Sequence, residues 1–161
     1  MDVSGFYGVT AQVAFTLLGL WWVVVQFKHA EWTQSRRHRR MAYDVSLLFL
    51  LVGVMSLMAM VDPNGSVLWR IAFGVGAILG GVETALLSST VIGSGRASRG
   101  AHLMTLVVYG LVLVLALDPR LPRQTGLHVK GLQLEGILVA FLLFLGVNMS
   151  WLRFAALEPT S

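Results

Sequence analysis

The sequence predicts an all-α integral membrane protein, a bundle of five transmembrane helices that takes up residues 1–161 as a single transmembrane domain. Hydrophobic residues make up 56% of the chain and charged residues only 12%, and the mean hydropathy is +0.74. A soluble domain of this length has no core large enough to bury so much apolar surface. The apolar residues also fall in blocks long enough to cross a hydrocarbon layer of about 30 Å. These observations predict helices that span a lipid bilayer.

Five apolar segments are the predicted spans. The amino terminus carries no basic segment and no small-residue cleavage site before the first apolar run, which predicts a retained helix rather than a signal peptide. The second and fourth spans each end at an Asp-Pro pair, Asp62-Pro63 and Asp118-Pro119, which is a strong helix stop. A linker rich in Gly, Ser and Arg ends the third span, and a polar segment precedes the fifth. The predicted spans are residues 6–27, 43–61, 67–92, 101–117 and 132–154.

The distribution of lysine and arginine predicts the orientation of the bundle, because short cytoplasmic loops retain basic residues. With the amino terminus outside and the carboxyl terminus cytoplasmic, eight basic residues lie on the cytoplasmic side and three lie outside, with Arg70 inside a span. The sequence therefore predicts a multi-pass protein of the cell membrane in this orientation. The cytoplasmic set is Lys28, Arg36, Arg37, Arg39, Arg40, Arg96, Arg99 and Arg153, and the outer set is Arg120, Arg123 and Lys130.

Composition and position exclude several classes of site. Cysteine is absent, so disulfides, iron–sulfur clusters and cysteine-ligated zinc are excluded. The histidines lie in loops or at a span end, which argues against a mid-membrane haem held by two of them. The net charge of +4 is explained by basic residues that fix the orientation of the helices in the membrane, so it does not indicate nucleic-acid binding. We therefore expect no cofactor, no metal and no nucleic acid. The basic cluster is suited to anionic lipid headgroups and consists of Arg36, Arg37, Arg39 and Arg40.

Glu83 is the most informative polar residue, because it lies near the middle of the third predicted span. A charged and unpartnered carboxylate there costs roughly 2.5 to 3.5 kcal/mol on insertion scales. The side chain must therefore be protonated, paired with a cation, or exposed to water in a pore or cavity. A cation or proton site satisfies this condition, and so does a structural contact between helices. The sequence leaves that choice open.

Small residues recur at four-residue spacing on the same predicted helix and form one stripe. Such a stripe lets a second helix approach closely, with hydroxyl groups bonding across the contact. Packing is favoured over a pore lining, and we expect this glycine-rich helix to be central in the bundle. Because a single bundle has little room for a pathway, the stripe also predicts a homo-oligomer. Its members are Ala72, Gly76, Gly80, Thr84 and Ser88.

Two arginines are candidate ion-pair partners for the carboxylates. Arg70 lies about one turn inside the third span, within reach of Glu135 near the outer start of the fifth. Arg153 lies late in the fifth span, at a depth that allows a pair with Glu83. Extension of the Arg153 side chain to the cytoplasmic headgroups is the favoured alternative.

These residues predict a small oligomeric channel or transporter subunit for a cation or a proton, with a pathway past Glu83. In that pathway Thr84, Ser88 and Asn148 supply hydroxyl and amide oxygens. The alternative is a non-conducting accessory or scaffold subunit, which binds a partner through the small-residue stripe and the basic cluster. A membrane enzyme is a third and weaker alternative, because a buried glutamate acts as an acid or base in some enzymes. The sequence offers no second catalytic group for it.

Overall fold

The computed structural model describes residues 3–27, 29, 36–61, 67–91, 96–124, 126 and 131–155. Over these residues the chain is helical apart from short turns at 118–120 and at 126. We number the helices in chain order, with α5 a single short turn. They are α1 Val3–Phe27, α2 Arg36–Val61, α3 Val67–Val91, α4 Arg96–Leu117, α5 Leu121–Gln124 and α6 Gly131–Ala155.

Five of the described helices are long and apolar enough to cross a membrane. They contain 22 to 26 residues. At 1.5 Å per residue these lengths reach about 33 to 39 Å, which exceeds a hydrocarbon core of about 30 Å. The predicted all-α fold with five helices of spanning length is confirmed, and it is the architecture of a multi-pass membrane protein.

The helix bounds depart from the prediction most clearly at α2, which begins at Arg36 rather than at residue 43. Arginine is among the better helix formers, so the basic segment joins the helix instead of forming a loop. The polar segment after α4 also contains a helical turn, α5, that hydropathy does not predict. Asp118 shapes the approach to α5, because its Oδ1 accepts a hydrogen bond from the backbone N–H of Arg120 at 3.0 Å.

The second long helix, α2, occupies the centre of the bundle. It packs against α1, α3 and α6, and α4 packs against α3 and α6. In the most apolar stretch of α2, 61% of the residues are buried, against 33% in α3. The expectation that the glycine-rich α3 is central is therefore wrong. A glycine pattern reports where two helices approach closely, and it does not report how many neighbours a helix has.

The long helices alternate in direction, so the bundle has two ends. At the Tyr7 end, where α1, α3 and α6 begin, Tyr7 Oη donates a hydrogen bond to the Leu132 carbonyl at 2.7 Å. The Tyr7 ring also meets Phe73 edge-on, with 6.0 Å between the ring centres. At the Trp21 end, where α2 and α4 begin, Trp21 Nε1 donates to the Ala42 carbonyl at 3.0 Å. Polar contacts thus join the helices near both ends of an otherwise apolar bundle.

Glycines allow the central helix α2 and its neighbours to approach closely, with an aromatic ring of one helix against a glycine of the other. A Cβ atom on Gly53 of α2 would lie 2.8 Å from the ring of Phe15 in α1. A Cβ atom on Gly146 of α6 would lie 2.8 Å from the ring of Phe49 in α2. Both distances are shorter than carbon atoms tolerate, so a larger side chain at either position would separate the helices.

Candidate functional site

Five polar side chains from three helices are buried between the Trp21 end and the middle of the bundle. None of them is more than 5% exposed. Three follow one another on α4 at spacings of three and four residues, so they share one face of that helix. The carboxyl of Asp44 in α2 lies within electrostatic reach of Tyr109 in α4. We call this set the buried polar cluster, and it consists of Asp44, Thr84, His102, Thr105 and Tyr109.

The two threonine hydroxyls of the buried polar cluster are bonded to their own helices. Thr84 Oγ1 donates to the Gly80 carbonyl at 2.7 Å, and Thr105 Oγ1 donates to the Ala101 carbonyl at 2.8 Å. Each hydroxyl oxygen keeps lone pairs that accept a further hydrogen bond. The cluster therefore holds acceptor oxygens in the same half of the bundle as a carboxyl and an imidazole, which are groups that take up and release protons.

Glu83 lies beside the buried polar cluster and contacts an arginine of α2. Its Oε1 lies 3.4 Å from Nε of Arg40, with the Glu83 side chain 19% exposed and the Arg40 side chain 43% exposed. The side chain of the predicted partner, Arg153, lies outside the described residues. Arg40 was not expected in this role, because the sequence places it in a loop before the second span. The early start of α2 brings Arg40 to Glu83.

We expect the contact between Arg40 and Glu83 to contribute little to stability, because a single, partly exposed ion pair is worth about 0 to 1 kcal/mol. The check is a double-mutant cycle with Arg40→Gln and Glu83→Gln, measured as the free energy of SDS-induced unfolding. The coupling free energy should stay below about 1 kcal/mol. A coupling above about 3 kcal/mol would show instead that the pair is desolvated inside the bundle.

The small-residue stripe of α3 is covered by helices of the same chain. A Cβ atom on Gly76 would lie 2.7 Å from Met55 Sδ in α2, and one on Gly80 would lie 2.6 Å from Tyr109 Oη in α4. These contacts engage the glycines within one chain, so they give no support to a homo-oligomer formed through the stripe. Of the other members, Thr84 is buried, Ala72 is half-buried, and the Ser88 side chain lies outside the described residues.

The structure places Asn148 away from Glu83 and Thr84, with which the sequence grouped it. Asn148 lies on an exposed face of α6, where its Nδ2 donates to the Phe144 carbonyl at 2.8 Å. Among the described helices, α6 packs mainly against α1, α2 and α4. Glu83 and Thr84 belong to α3. Asn148 therefore bonds its amide within its own helix, on a face that other described helices do not cover.

At the Tyr7 end, the predicted pair between Arg70 and Glu135 does not form. Arg70 Nε donates to the Ala116 carbonyl at 2.7 Å, and its terminal Nη2 donates to the Leu117 carbonyl at 2.6 Å. The last turn of a helix leaves such carbonyls without helical partners. Glu135 is 0% exposed, and neither carboxyl oxygen has a hydrogen-bond partner in the described part of the chain. The arginine is drawn to the end of α4 instead of to the carboxyl.

Two polar regions are therefore buried at different depths. Tyr7, Ser56 and Glu135 are all 0% exposed at the Tyr7 end, and Ser56 Oγ has no hydrogen-bond partner among the described residues. The helix register sets a layer of apolar side chains between this region and the buried polar cluster. Each member of that layer is at most 1% exposed, and the members are Val52, Met55, Phe73, Val139 and Leu142.

Sequence reasoning missed two features of these regions. It did not single out Tyr7, which lies near the start of the mainly apolar helix α1. It also did not recognise His102, Thr105 and Tyr109 as one face of α4, although their spacing is a helical signal visible in the sequence.

Comparisons with known proteins add no further guide to the function. No protein-family model matches the chain, and neither a curated protein nor a solved structure matches it significantly. The function is therefore argued from the two buried polar regions.

Proposed function

We propose that this chain is a small transport subunit of the cell membrane that moves protons or a small cation through the buried polar cluster. The observation that carries the proposal is the burial of a carboxyl on α2, from Asp44, together with an imidazole and a phenol on α4, from His102 and Tyr109. Both helices are long enough to span a membrane. Ionisable side chains inside a membrane are costly, and in known membrane proteins they mark ion pathways and proton relays. The proposed pathway runs along the face of α4 rather than past Glu83 alone.

The proposal assigns Glu83 to the mouth of the pathway. Its contact with Arg40 lies near the Trp21 end, and both side chains are partly exposed. In the proposed orientation, with the amino terminus outside, the Trp21 end faces the cytoplasm because it carries most of the basic residues. Arg36 and Arg39 are exposed at the same end, which fits the proposed contact with anionic lipid headgroups.

A closed state of the pathway accounts for the apolar layer between the two polar regions. A proton does not cross several buried apolar side chains without water or a titrating group between them. Conduction therefore requires Met55, Phe73 and their neighbours to move apart, as in the gating of transporters by motion of one helix group against another.

Proton flux into liposomes tests the proposal. Protein shown to be folded and inserted is compared with Asp44→Asn and Glu83→Gln in a pH-gradient assay, with a potassium diffusion potential to drive the current. Asp44→Asn should lower proton flux by about tenfold or more, equal to about 1.4 kcal/mol on the barrier. Glu83→Gln should have the smaller effect, because Glu83 lies at the mouth and is paired. Asp118→Asn, in the turn after α4, is the matched control and should conduct like wild type.

Sodium, potassium and chloride gradients complete the panel. Flux of sodium or potassium that depends on Asp44 would show that the transported ion is a metal cation rather than a proton. Flux that is equal in wild type and Asp44→Asn would remove the buried polar cluster from the pathway.

A second candidate function, a non-conducting accessory or scaffold subunit, is favoured by the tight packing around Gly76 and Gly80. A sealed bundle of this kind has no need to open if its role is to hold a partner. This candidate predicts no flux under any gradient, together with a membrane protein that co-purifies in fixed ratio. A partner-free protein that conducts would count against it.

A further inference from the structure

Glu135 lies in the polar region at the Tyr7 end, whose side chains have no assigned role in the proposed function. We propose that Glu135 is a proton-binding site of the Tyr7 end, filled and emptied through a cavity between α1 and α6. A role for Glu135 as a second proton-binding site along a transport pathway rests on the proposed function. The binding of a proton by Glu135 does not depend on that function. Occupancy by a proton is measurable in protein that shows no flux.

The burial of Glu135 without a partner is the first support. The side chain is 0% exposed, and both carboxyl oxygens lack a hydrogen-bond partner within the described residues. An ionised carboxylate in such a place has lost its water without gaining a donor or a counter-charge, which is strongly unfavourable. A bound proton removes that charge. Burial without a hydrogen-bond donor from the described residues therefore favours the neutral, protonated form of the Glu135 carboxyl.

No cation from the described residues faces Glu135. From α1 the titratable neighbour is Tyr7, and its hydroxyl proton is already donated to the Leu132 carbonyl. From α2 there is none, because residues 45–61 contain no ionisable side chain. From α3 the nearest cation is Arg70, which is bound to two carbonyls of α4.

The remaining neighbours of α6 are α4 and α5. Residues 110–117 of α4 contain no ionisable side chain, and Tyr109 belongs to the buried polar cluster on the other side of the apolar layer. In the turn between α4 and α5, Asp118 accepts a hydrogen bond from the backbone of Arg120, and Arg120 is exposed. The side chain of Arg123 in α5 lies outside the described residues.

A proton fits the site better than a metal ion does. A dehydrated divalent cation takes about six oxygen ligands. Within the described part of the chain, the buried side-chain oxygens near this end are those of Glu135, Tyr7, Ser56 and Thr10. The hydroxyls of Tyr7 and Thr10 already donate to backbone carbonyls. Among the described residues, no group of three or more His, Cys, Asp or Glu side chains is placed to hold a metal ion. A proton needs only the carboxyl oxygen to which it bonds.

A cavity of about 240 Å³ lies between α1 and α6 at the same end of the bundle. Its wall includes Tyr7, Leu132 and Gly136, which are the immediate neighbours of Glu135, and Val3 in the first turn of α1. The volume has room for several waters at about 30 Å³ each. Tyr7 and Gln133 add polar groups to an otherwise apolar wall. The cavity thus reaches Tyr7, which lies within electrostatic reach of the Glu135 carboxyl, and the proposed site requires water to enter the cavity.

Infrared spectroscopy of the purified protein in lipid nanodiscs tests whether Glu135 holds a proton. A protonated carboxyl has a carbonyl stretch separate from that of a carboxylate, and carbon-13 labelling of the glutamate side chains distinguishes glutamate from aspartate. At neutral pH we expect one isotope-shifted protonated band in wild type and its loss in Glu135→Gln. The matched variant Glu83→Gln should keep the band. A wild-type spectrum without a protonated glutamate band, or a band that survives in Glu135→Gln, would overturn the proposal.

Two further measurements keep the test independent of folding and of flux. The labelled wild-type spectrum stands alone if Glu135→Gln does not fold, and Glu135→Leu supplies a second neutral variant of similar size. Access is tested by transfer into deuterated buffer, which shifts the protonated band as the proton exchanges. Ile137→Trp, at the exposed wall of the cavity, should slow this exchange several-fold, whereas Ile78→Trp on α3 should not. Equal exchange in both variants would show that the proton enters by another route.

Discussion

Gly80→Val is expected to lower the free energy of unfolding by about 3 kcal/mol, at the upper part of the range for overpacked cores. A Cβ atom at this position would overlap Cζ of Tyr109 and would lie 2.5 Å from Cε1 of the same ring. Tyr109 is only 2% exposed, so its ring has no open space into which to move. The strain must therefore be relieved by separating α3 from α4, the pair of helices whose packing holds one side of the bundle together.

SDS-induced unfolding in mixed micelles measures this loss. The control is Gly110→Val, which makes the same change on α4, where an added Cβ meets no atom within 4 Å. The double variant Gly80→Val with Tyr109→Ala should lose less stability than the sum of the two single losses, because removal of the ring removes the overlap with the valine. If Gly80→Val and Gly110→Val lose equal stability, the close contact between Gly80 and Tyr109 is not what sets the spacing of the two helices.

The same variant separates two uses of the small-residue stripe. If Gly80 packs within one chain, Gly80→Val weakens folding and leaves the oligomeric state unchanged. If the stripe instead joins two copies, the variant should dissociate an oligomer at little cost to the single chain. Crosslinking in native-like bilayers distinguishes these results, and the contacts to Met55 and Tyr109 predict the first.

Hydropathy predicts where the five long helices lie, because the cost of exposing backbone groups and charges to lipid acts on each segment by itself. The start of α2 could not be predicted in this way. Arg36, Arg39 and Arg40 are charged, so they end an apolar window, yet they remain good helix formers and extend the helix. The position of each helix in the bundle could not be predicted either, because apolar side chains are favourable both against lipid and against neighbouring helices.

The contacts of the charged residues depend on rotation and on helix ends, which a hydropathy pattern does not contain. The distances of Arg70 and Glu135 from the ends of their spans predicted that the two residues lie close together. Those distances do not show that the last carbonyls of α4 compete for the arginine. Glu83 was recognised as costly, and its contact with Arg40 became visible only once α2 was seen to extend back to Arg36. The spacing of His102, Thr105 and Tyr109 was available in the sequence and would have indicated a polar face on α4.

Arg70→Met is the second substitution with a large expected effect, a loss of about 2 kcal/mol in the free energy of unfolding. Hydrogen bonds from a charged group contribute about 1.5 to 3 kcal/mol each, and the partial exposure of Arg70 lowers the expected total for its two bonds below the sum of two such values. The bonds reach the carbonyls of Ala116 and Leu117 at 2.7 and 2.6 Å. They also place a positive charge at the negative end of the α4 dipole.

Arg70→Lys should recover only part of the loss, because an ammonium group cannot reach two successive carbonyls with the fixed fork of a guanidinium. The same SDS titration measures both variants, with Arg39→Met at the exposed start of α2 as the control for loss of one positive charge. Hydrogen exchange provides a second readout, since fraying of the last turn of α4 should speed exchange at the backbone N–H of Asp118, which bonds to the Val114 carbonyl at 3.0 Å. If Arg70→Met and Arg39→Met unfold alike and exchange there is unchanged, Arg70 does not hold α3 to the end of α4. Arg70 would then be a candidate counter-charge for Glu135, and the infrared band would decide whether that carboxyl binds a proton.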